Sequence, residues 1–531
     1  MILNPAFPMA SSHPSPVASP PVAHPFGPRL FVGMLGVLVA AIMSGLNGRV
    51  AAVALLDVRA PLGAGSDDGS WITVIYAACE LAAMPISGWL SVTFSFRRYH
   101  IAVVAVFSLL ALLLPFIHSL PLLVFLRGAQ GFFGGLLIPV LMAGALRFFP
   151  LPLRLYGLAL YALTATFSPN LAVWLAAIWT DQLSIVSMLY LQVLPLAAFS
   201  MLAVAWGIPQ DPVRLERWRE VNVIGLLTGP AGLALVAIAL GQGERLDWLD
   251  SGLIRSLLSA GIPMLTVFVC SEWFHPTPFM RFQLLYRRNL GLGFTIFFVM
   301  LIVMLSGSLL PMDYLLERWH FRPENLYVIG AILGLPQLVL GPMVSMLLYK
   351  QWVDARCVFA LGLACIAISC LLGWRVTADW NAADFVAVQV LQALGQPMAV
   401  VSVLFLSTSV VQPMEGPFVS GIVNTLRALG TLGGSALVGH LLAVRAHFHG
   451  NVLLDRAMTG TADARHRIAG GEGAIEHGLA ELAEFVNQQA TVLGIADCYL
   501  ILGALALLLI PLVLNLQYMQ PPLLTPKTNR N

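Results

Sequence analysis

The chain has 531 residues, of which 58% are hydrophobic and only 10% are charged, and its formal net charge is +2. So few charged residues exclude an ordinary soluble domain, in which about a quarter of the residues are charged. The nearly neutral charge and the lack of a basic stretch in the sequence exclude nucleic acid as an expected partner. The apolar residues form long runs, and a run of about 20 lets a helix cross a lipid bilayer. We therefore expect an all-α polytopic membrane protein.

Fourteen apolar runs predict fourteen membrane helices. Their ranges in chain order are 30–56, 71–93, 100–118, 122–146, 155–178, 185–207, 222–241, 252–273, 289–311, 324–349, 356–375, 384–411, 418–445 and 493–516. Basic residues concentrate in the connections on one side of this arrangement: Arg97, Arg98, Arg147, Arg154, Arg214, Arg217, Arg219, Arg281, Arg287, Arg288, Lys350 and Arg356. Because such residues are retained on the cytoplasmic side, we predict a multi-pass protein of the cell inner membrane with both termini in the cytoplasm.

Three polar segments lie outside the predicted spans. Residues 1–28 are rich in proline and are predicted to be a disordered cytoplasmic tail, and residues 517–531 are predicted to be a second one. The segment 446–492 is predicted to be a large outside loop with a short helix that ends near Gln488 and Gln489. Its histidines have no metal-ligand spacing and the six cysteines form no C-x-x-C pair, so neither a metal nor a cofactor is expected.

One charge lies inside the fourth apolar run. Arg127 stands between the apolar stretches 121–126 and 131–139. A guanidinium at the centre of a membrane helix costs about 2.5–3.5 kcal/mol on insertion scales, so it is retained where it faces a polar cavity or a partner carboxylate. Arg127 therefore predicts a pathway through the protein.

A weak internal repeat relates the fourth run to the twelfth, because residues 127–135 are paralleled by residues 389–396. Chance similarity is the alternative interpretation. If the two halves do correspond, 29–208 is an N-terminal six-helix bundle, 209–274 is an inserted helix pair, and 275–516 is a C-terminal six-helix bundle. The substrate site is then expected between the bundles, near the middle of the membrane.

The fourth span resembles that of the fourteen-helix drug:proton antiporters, a family of the major facilitator superfamily. The family's R-x-x-Q-G motif is matched by Arg127, Gln130 and Gly131, and Gly88 begins a stretch that resembles the loop between helices two and three. The resemblance covers most of residues 30–516. It implies a major facilitator fold of two six-helix halves plus two inserted helices, and proton-coupled efflux of hydrophobic or amphipathic compounds by alternating access. It also implies a periplasmic adaptor protein and an outer-membrane channel as possible partners.

The chain departs from this family at the positions that usually couple transport to protons. Asn47 stands where the first helix usually carries an acidic residue, and Arg49 adds a cation two residues later. The fifth-helix motif, which usually contains paired glycines, is reduced to Ser168, Pro169 and Asn170. The departures indicate that another acidic residue would have to carry the proton.

Glu80 in the second span is the candidate for that role. By helical rise, Glu80, Arg49 and Arg127 lie at comparable depths in their spans. One carboxylate beside two guanidiniums offsets much of the cost that each charge would have alone. We predict that Glu80 pairs with Arg49 or Arg127 and couples transport to protons together with them and Asn47. A permanently ionised structural pair is the alternative.

Further residues are predicted to line an aromatic cavity with a few polar groups, or else to pack between helices. They are Tyr76, Gln130, Tyr161, Phe167, Trp174, Gln337, Gln389, Gln392 and Gln396. Residues with a predicted structural role are Gly88, Gly131, Gly135, Pro169 and Arg427. Arg427 lies roughly 14 Å from the inner end of its span and either lines the cavity or binds helix-end carbonyls. Asp57, Arg59, Asp67 and Asp68 at the outer side form either solvated loop pairs or an outer gate.

The leading hypothesis is a secondary transporter that exchanges a small-molecule substrate for protons across the bilayer. A carrier for one specific endogenous metabolite is the nearest alternative, and a channel is another. A membrane enzyme would need a nucleophile with its base, a metal cluster or a phosphate-binding loop, and the sequence offers none of these.

Overall fold

The computed structural model describes residues 26–458 and 472–521. Most of the predicted N-terminal tail, the middle of the segment 446–492 and the end of the C-terminal tail lie outside these residues. The described part is helical and contains no β-strand. It has 13 helices long and apolar enough to cross a membrane, and up to 14 when a bent pair counts as one span. The prediction of an all-α membrane protein with about fourteen spans is therefore confirmed.

We number the spans α1 to α14 in chain order. Their bounds are α1 Pro28–Val53, α2 Ser66–Thr93, α3 Phe96–Leu113, α4 Leu120–Phe148, α5 Arg154–Thr166 and Ser168–Ala177, α6 Val193–Gly207, α7 Val223–Gln242, α8 Gly252–Phe274, α9 Arg288–Ser308 and Leu310–Trp319, α10 Pro323–Gly334 and Gln337–Leu348, α11 Ala355–Gly373, α12 Val386–Thr408, α13 Gly416–Met458 and α14 Glu472–Leu514.

Three spans are broken next to a proline. The two parts of α5 meet at an angle of 44°, and Pro169 lies in the first turn of its second part. Pro311 lies in the first turn of the second part of α9, and Pro336 precedes the second part of α10. Proline lacks a backbone N–H and its ring clashes with the preceding turn, so it interrupts the helical hydrogen bonds.

The predicted outside loop at 446–492 is wrong for the residues that the structure describes. α13 continues to Met458, and α14 runs from Glu472 to Leu514 instead of ending near Gln488 and Gln489. The polar composition of this segment marks the exit from the bilayer, but its many Ala, Leu, Glu and Gln residues favour helix. Each helix of 43 residues is about 64 Å long. That is about twice the thickness of the hydrocarbon core.

Two faces of the molecule are needed to describe the site. With an even number of spans, α1 begins and α14 ends on the same face, which we call the termini face; the opposite one is the far face. On the termini face Arg29 Nε donates to the Trp206 carbonyl oxygen at 2.6 Å, and Arg356 Nη1 donates to that of Leu516 at 3.2 Å.

The helices pack in two groups with an additional pair between them. In the first group α2 packs against α4, and α1 against α4 and α6; in the second, α11 packs against α12 and α14, and α9 against α12, α13 and α14. α7 and α8 pack against each other, and α7 also contacts α2 and α13. The two groups meet along an α5–α10 seam, to which α12 contributes, and along an α2–α13 seam, to which α4 contributes.

The α5–α10 seam is in direct contact from one face to the other. At the far face Arg322, just before α10, pairs with Asp181 at the end of α5 at 2.8 Å. In the middle, a Cβ on Gly330 would lie 2.8 Å from the Asn170 carbonyl oxygen. Near the termini face the rings of Tyr156 and Tyr349 lie 5.2 Å apart.

The α2–α13 seam is in close backbone contact near the termini face. There a Cβ on Gly88 would lie 2.5 Å from the Pro417 carbonyl oxygen, and one on Gly421 would lie 3.4 Å from that of Pro85. Toward the far face α7 packs against both helices. An apolar cluster joins the three: Ala78 and Leu81 of α2, Leu233 and Ala237 of α7, and Ala428, Leu429 and Leu432 of α13.

Candidate functional site

A cavity of about 580 Å³ lies between the two helix groups. It extends from the middle of the spans, at Met84 and Ile138, toward the far face, at Thr73 and Gly439. Its wall is largely apolar and carries four charged side chains: Arg49, Glu80, Glu244 and Arg427. A concave, mostly apolar site with a few polar groups is the usual form of a small-molecule site.

Glu80 and Arg49 face this cavity from α2 and α1. The Glu80 side chain is half-buried and that of Arg49 is exposed to the cavity, although both residues lie well inside their helices. Among the described residues, the predicted ion pair of Glu80 with Arg49 or Arg127 is absent, because none of the contacts within 4.0 Å involves Glu80. Since the Glu80 carboxylate is accessible from the cavity, solvent can hydrate it. The charges of Arg49, Arg427 and Arg127 nevertheless act on Glu80, in that order of strength.

Arg127 does not line the cavity, contrary to the expectation that it faces the pathway. It is fully buried, and its guanidinium lies 4.2 Å from the centre of the Tyr76 ring and 5.8 Å from that of Tyr190. Nη1 donates to Gln130 Oε1 at 2.8 Å and Nη2 to the Asn47 carbonyl oxygen at 3.5 Å. Aromatic faces and oxygens take the place of the expected carboxylate partner. Tyr76 itself lines the cavity, so its ring lies between Arg127 and the site.

Two glycines of α4, Gly131 of the R-x-x-Q-G motif and Gly135, fix the positions of Tyr76 and Glu80. A Cβ on Gly131 would touch the Tyr76 carbonyl oxygen, and a Cβ on Gly135 would touch that of Glu80. Only glycine lets the α4 backbone approach α2 this closely. The packing of α4 on α2 therefore sets the height and direction from which Glu80 enters the cavity.

Arg427 reaches the cavity from the opposite helix group. It is buried, and its Nη1 donates to Thr164 Oγ1 on α5 at 2.7 Å. The guanidinium lies 5.6 Å from the centre of the Tyr161 ring, and the Tyr161 hydroxyl donates to Asn424 Oδ1 at 2.9 Å. Of the two interpretations left open by the sequence, the structure places Arg427 at the cavity wall. Pro169, at the bend of α5, also lines it.

Most other residues predicted to line the cavity lie outside its wall. Tyr76 and Gln396 line it, whereas Gln130, Tyr161, Phe167, Trp174, Gln337, Gln389 and Gln392 do not. The buried amides instead connect helices. Gln337 Nε2 donates to the Ala393 carbonyl oxygen at 3.1 Å, Gln389 Nε2 to that of Gly307 at 2.8 Å, and Gln392 Nε2 to Ser306 Oγ at 2.9 Å. A buried amide needs a hydrogen-bond partner, and here a neighbouring helix provides an acceptor for each Nε2 group.

Sequence reasoning missed the charges that join the two groups at the far face. Asp57 pairs with Arg322 at 3.1 Å instead of with Arg59, and Asp181 pairs with the same guanidinium. Asp67 lies 3.9 Å from Arg245 after α7. Glu244 accepts a hydrogen bond from Trp248 Nε1 at 2.8 Å and lies 2.9 Å from His440 Nδ1 on α13. The partners of the ion pairs are distant in sequence, so no local signal indicates these pairs.

Two groups of helices around a charged central cavity define a membrane transporter. Residues 37–352, more than half of the chain, match the family model of the Major Facilitator Superfamily, and the chain belongs to this superfamily. It is a secondary transporter and a multi-pass inner-membrane protein, as predicted. Within residues 26–458 and 472–521, no group of three His, Cys, Asp or Glu residues could hold a metal ion.

Relatives of the chain carry names of exporters. It is 23% identical to the multidrug export protein EmrB of Haemophilus influenzae, over 80% of this chain and 82% of that protein. It is 24% identical to the probable multidrug resistance protein EmrY of Escherichia coli, over 68% and 70%. It is 22% identical to the fatty acid resistance protein FarB of Neisseria gonorrhoeae, over 90% and 94%. The chain is thus similar to multidrug exporters within the superfamily, as the R-x-x-Q-G motif indicated.

Solved structures support the fold. The human organic anion transporter MFSD10 aligns with a TM-score of 0.52 at 14% identity, over 92% of this chain and 100% of that one. A double-tryptophan mutant of XylE aligns with a TM-score of 0.54 at 13% identity, over 93% and 97%. At these identities the likeness concerns the fold alone.

Proposed function

We propose that the protein expels hydrophobic or amphipathic compounds in exchange for protons, by alternating access of the central cavity. The names of its relatives support export, and the largely apolar wall of a cavity of about 580 Å³ suits compounds with a hydrophobic body. The observation that carries proton coupling is Glu80, an acidic side chain at the cavity wall without an ion-pair contact in the described structure.

Glu80 can act as a proton carrier because its two states are both tolerated. When ionised, the carboxylate is attracted by Arg49, Arg427 and Arg127. When Glu80 is protonated, the Arg49 side chain remains exposed to the cavity, and Arg427 keeps its hydrogen bond to Thr164. A permanently ionised structural pair would hold Glu80 in contact with an arginine, so the lack of such a contact favours the carrier over that alternative. Asn47, which replaces the usual acid, contributes its carbonyl oxygen to Arg127 and has no proton to exchange.

The termini face is proposed to be cytoplasmic. It carries the basic connections, including Arg147 and Arg154, which the positive-inside rule places there. The cavity then lies on the outer side, while the inner ends of α2 and α13 are closed at Gly88 and Pro417. In this orientation the structure corresponds to an outward-facing state. The division into bundles at 29–208 and 275–516 around an inserted pair at 209–274 belongs to the same proposal.

The outer extensions of α13 and α14 are a proposed contact for a periplasmic adaptor, which would connect the transporter to an outer-membrane channel. The two helices are held together beyond the cavity by Asp497, which lies 2.6 Å from Arg445 and 2.7 Å from His449. The partners are implied by the resemblance to the fourteen-helix exporters, and the length of the paired helices supports them.

A carrier of one endogenous metabolite remains the alternative. A panel of substrates distinguishes it from a multidrug exporter, because the carrier would transport one compound and the exporter several unrelated ones. Both hypotheses describe transport without a chemical reaction on the substrate.

The test of the proposed function is proton-driven transport of that panel into inverted vesicles. We expect Glu80→Gln to reduce uphill transport to the level of vesicles without the protein, because glutamine cannot bind and release a proton. The matched control is Glu216→Gln, which removes an exposed carboxylate on the termini face and should transport like the parent. Uphill transport by Glu80→Gln with an unchanged pH dependence would contradict the proposal.

A further inference from the structure

Arg49 differs from the other two arginines near Glu80 in that its guanidinium has no partner in the described part of the protein. Arg127 donates to Gln130, and Arg427 donates to Thr164. The Arg49 side chain is exposed to the cavity, and within residues 26–458 and 472–521 it makes neither a hydrogen bond nor an ion pair. Its N–H donors are therefore open to a compound inside the cavity.

The face of α1 around Arg49 is built from small residues. Gly45, Gly48 and Ala52 line the cavity together with Arg49, at the spacing of residues on one face of a helix. Such side chains do not cover the guanidinium. A compound in the cavity can therefore reach its five N–H donors directly.

A compound that fills the cavity has to replace the hydration of Arg49. Much of the remaining wall is apolar and includes Leu301, Met304 and Leu305 of α9, so a hydrophobic body suits it. A purely apolar compound would take water from the guanidinium without offering an acceptor, and this loss costs more for a charged group than for a neutral one. A carboxylate on the same compound would accept two parallel hydrogen bonds from the guanidinium. An anionic group joined to a hydrophobic body therefore satisfies both parts of the wall.

The charges in the middle of the cavity also favour an anion. Arg49 and Arg427 are balanced there by one carboxylate, that of Glu80, because Glu244 lies at the far end of the cavity beside His440. The middle of the cavity thus carries one net positive charge when Glu80 is ionised. A substrate with one negative charge complements it, whereas a cation would add to it.

The aromatic content of the wall is unfavourable for an organic cation. Sites for such cations use the faces of aromatic rings, and Tyr76 is the one aromatic residue of the cavity wall in the described structure. The Arg127 guanidinium already lies 4.2 Å from the centre of the Tyr76 ring. A second cation at this ring would be repelled by Arg127, so the wall offers no free aromatic face of this kind.

We propose that the cavity takes amphipathic organic anions and that Arg49 binds their carboxylate group. This inference rests on the proposed function only in that the cavity is the transport site, and it does not depend on the proton-carrying role of Glu80. The carboxylate lies at Arg49 on α1, and the hydrophobic body lies against the apolar wall to which α9 contributes.

The experiment compares three compounds that share a naphthalene body and differ in charge: naphthoate, naphthamide and naphthyltrimethylammonium. Equilibrium dialysis against proteoliposomes near neutral pH measures their binding by naphthalene fluorescence, and liposomes without protein give the background. We expect naphthoate to bind about tenfold or more tightly than naphthamide, because hydrogen bonds to a charged group are stronger than those between neutral groups. The ammonium compound should bind weakest.

Substitutions of Arg49 test its role in this preference. Arg49→Gln should weaken the binding of naphthoate about tenfold or more and leave that of naphthamide unchanged, and Arg49→Lys, which keeps the charge, should retain most of the preference. The matched control is Arg59→Gln, which removes an arginine just beyond the end of α1 and outside the cavity wall. It should bind all three compounds like the parent. Unchanged binding of naphthamide and an unchanged melting temperature show that the variants are folded.

Several outcomes would overturn this inference. In the parent protein these are equal binding of naphthoate and naphthamide, tightest binding of the ammonium compound, or binding of none of the three. A preference for naphthoate that persists in Arg49→Gln would show that another group binds the carboxylate. The dialysis uses no proton gradient, so its result is separate from the vesicle test of Glu80→Gln. Failure of that test would overturn the proposed proton coupling and leave the preference for anions in place.

Discussion

The two seams between the helix groups differ in how they are closed. The α5–α10 seam is in direct contact over its whole length, from Arg322 and Asp181 at the far face to Tyr156 and Tyr349 at the termini face. The α2–α13 seam has its close backbone contacts at Gly88 and its surroundings, and toward the far face α7 joins it in a shared apolar cluster. α7 therefore forms a side wall of the cavity, to which it contributes Leu240 and Gly241.

The largest effect is expected at the direct contact of the α2–α13 seam. In Gly88→Ala the new Cβ would lie 2.5 Å from the Pro417 carbonyl oxygen, and overpacking of this kind costs about 1–3 kcal/mol. We expect transport in proteoliposomes to be lost or reduced several-fold, because the termini-face ends of α2 and α13 can no longer close together.

Gly341→Ala on α10 is the matched control for this substitution. A Cβ there would meet no atom within 4 Å, and both substitutions raise helix propensity by a similar amount. Equal transport by Gly88→Ala and Gly341→Ala would contradict the importance of the close contact at Gly88.

An intermediate effect is expected where α7 joins α2. Gln242, at the end of α7, is fully buried, and its Nε2 donates to Ser70 Oγ at 3.0 Å while its Oε1 accepts from Arg245 Nε at 2.6 Å. Gln242→Leu leaves these partners without their hydrogen bonds, which costs about 1–3 kcal/mol. We expect a lower melting temperature in detergent.

His440→Gln tests the opposite side of α7. Because the pair of His440 with Glu244 is largely exposed, such a contact contributes about 0–1 kcal/mol. The melting temperature should therefore change little. This result would show that α7 is held mainly by its contacts with α2. A larger drop in melting temperature in His440→Gln than in Gln242→Leu would show instead that α7 is held mainly by its contacts with α13.

The smallest effect is expected at the far end of the α5–α10 seam. The hydrogen bond that Arg322 donates to Asp181, together with the charges of Asp181 and Asp57, holds the pKa of Arg322 above its usual range. A raised pKa keeps the arginine side of these pairs charged at every pH below about 12. The Arg322 side chain is half-exposed, so salt screens both pairs and the one with Asp57 contributes at most about 1 kcal/mol. The Asp181 side chain is buried, and without Arg322 its carboxylate would keep the hydrogen bond from the Glu324 backbone N–H.

Arg322→Gln should therefore change the transport rate about twofold or less at low salt, given so small a contribution per pair. The difference from the parent should disappear at high salt, where the parent pairs are screened. Transport assays at two ionic strengths measure both effects. A difference that persists at high salt would show that Arg322 acts by packing and not by charge.

The sequence alone predicts the spans and two of the charged residues that line the cavity. The fourteen apolar runs are long enough to be identified one by one, and Glu80 and Arg49 are conspicuous because a charge in an apolar run needs a physical reason. The same argument is incomplete for Arg127, whose partners are the rings of Tyr76 and Tyr190. Aromatic residues are common in membrane helices, so the sequence does not distinguish a partner from a packing residue.

Other features depend on contacts between distant parts of the chain. Asp181 is 141 residues from Arg322, and Asp57 is 265 residues from it. Gln389 and Gln392 are polar residues in an apolar helix, and the sequence does not say whether they face a cavity or the neighbouring α9. The sequence also does not decide whether polar residues beyond the bilayer form a helix or a loop. For this reason the prediction of a loop after Ala446 was wrong.

The length of α13 has a mechanical consequence. The helix carries Arg427 in the membrane and continues for 31 residues to Met458, a distance of about 47 Å. A tilt of about 10° around the cavity would move its tip by about 8 Å at this helical rise. The ion pair of Asp497 with Arg445 links α14 to this helix. A movement of a few ångströms beside the substrate would therefore produce a larger displacement of the outer end of α13, well outside the bilayer.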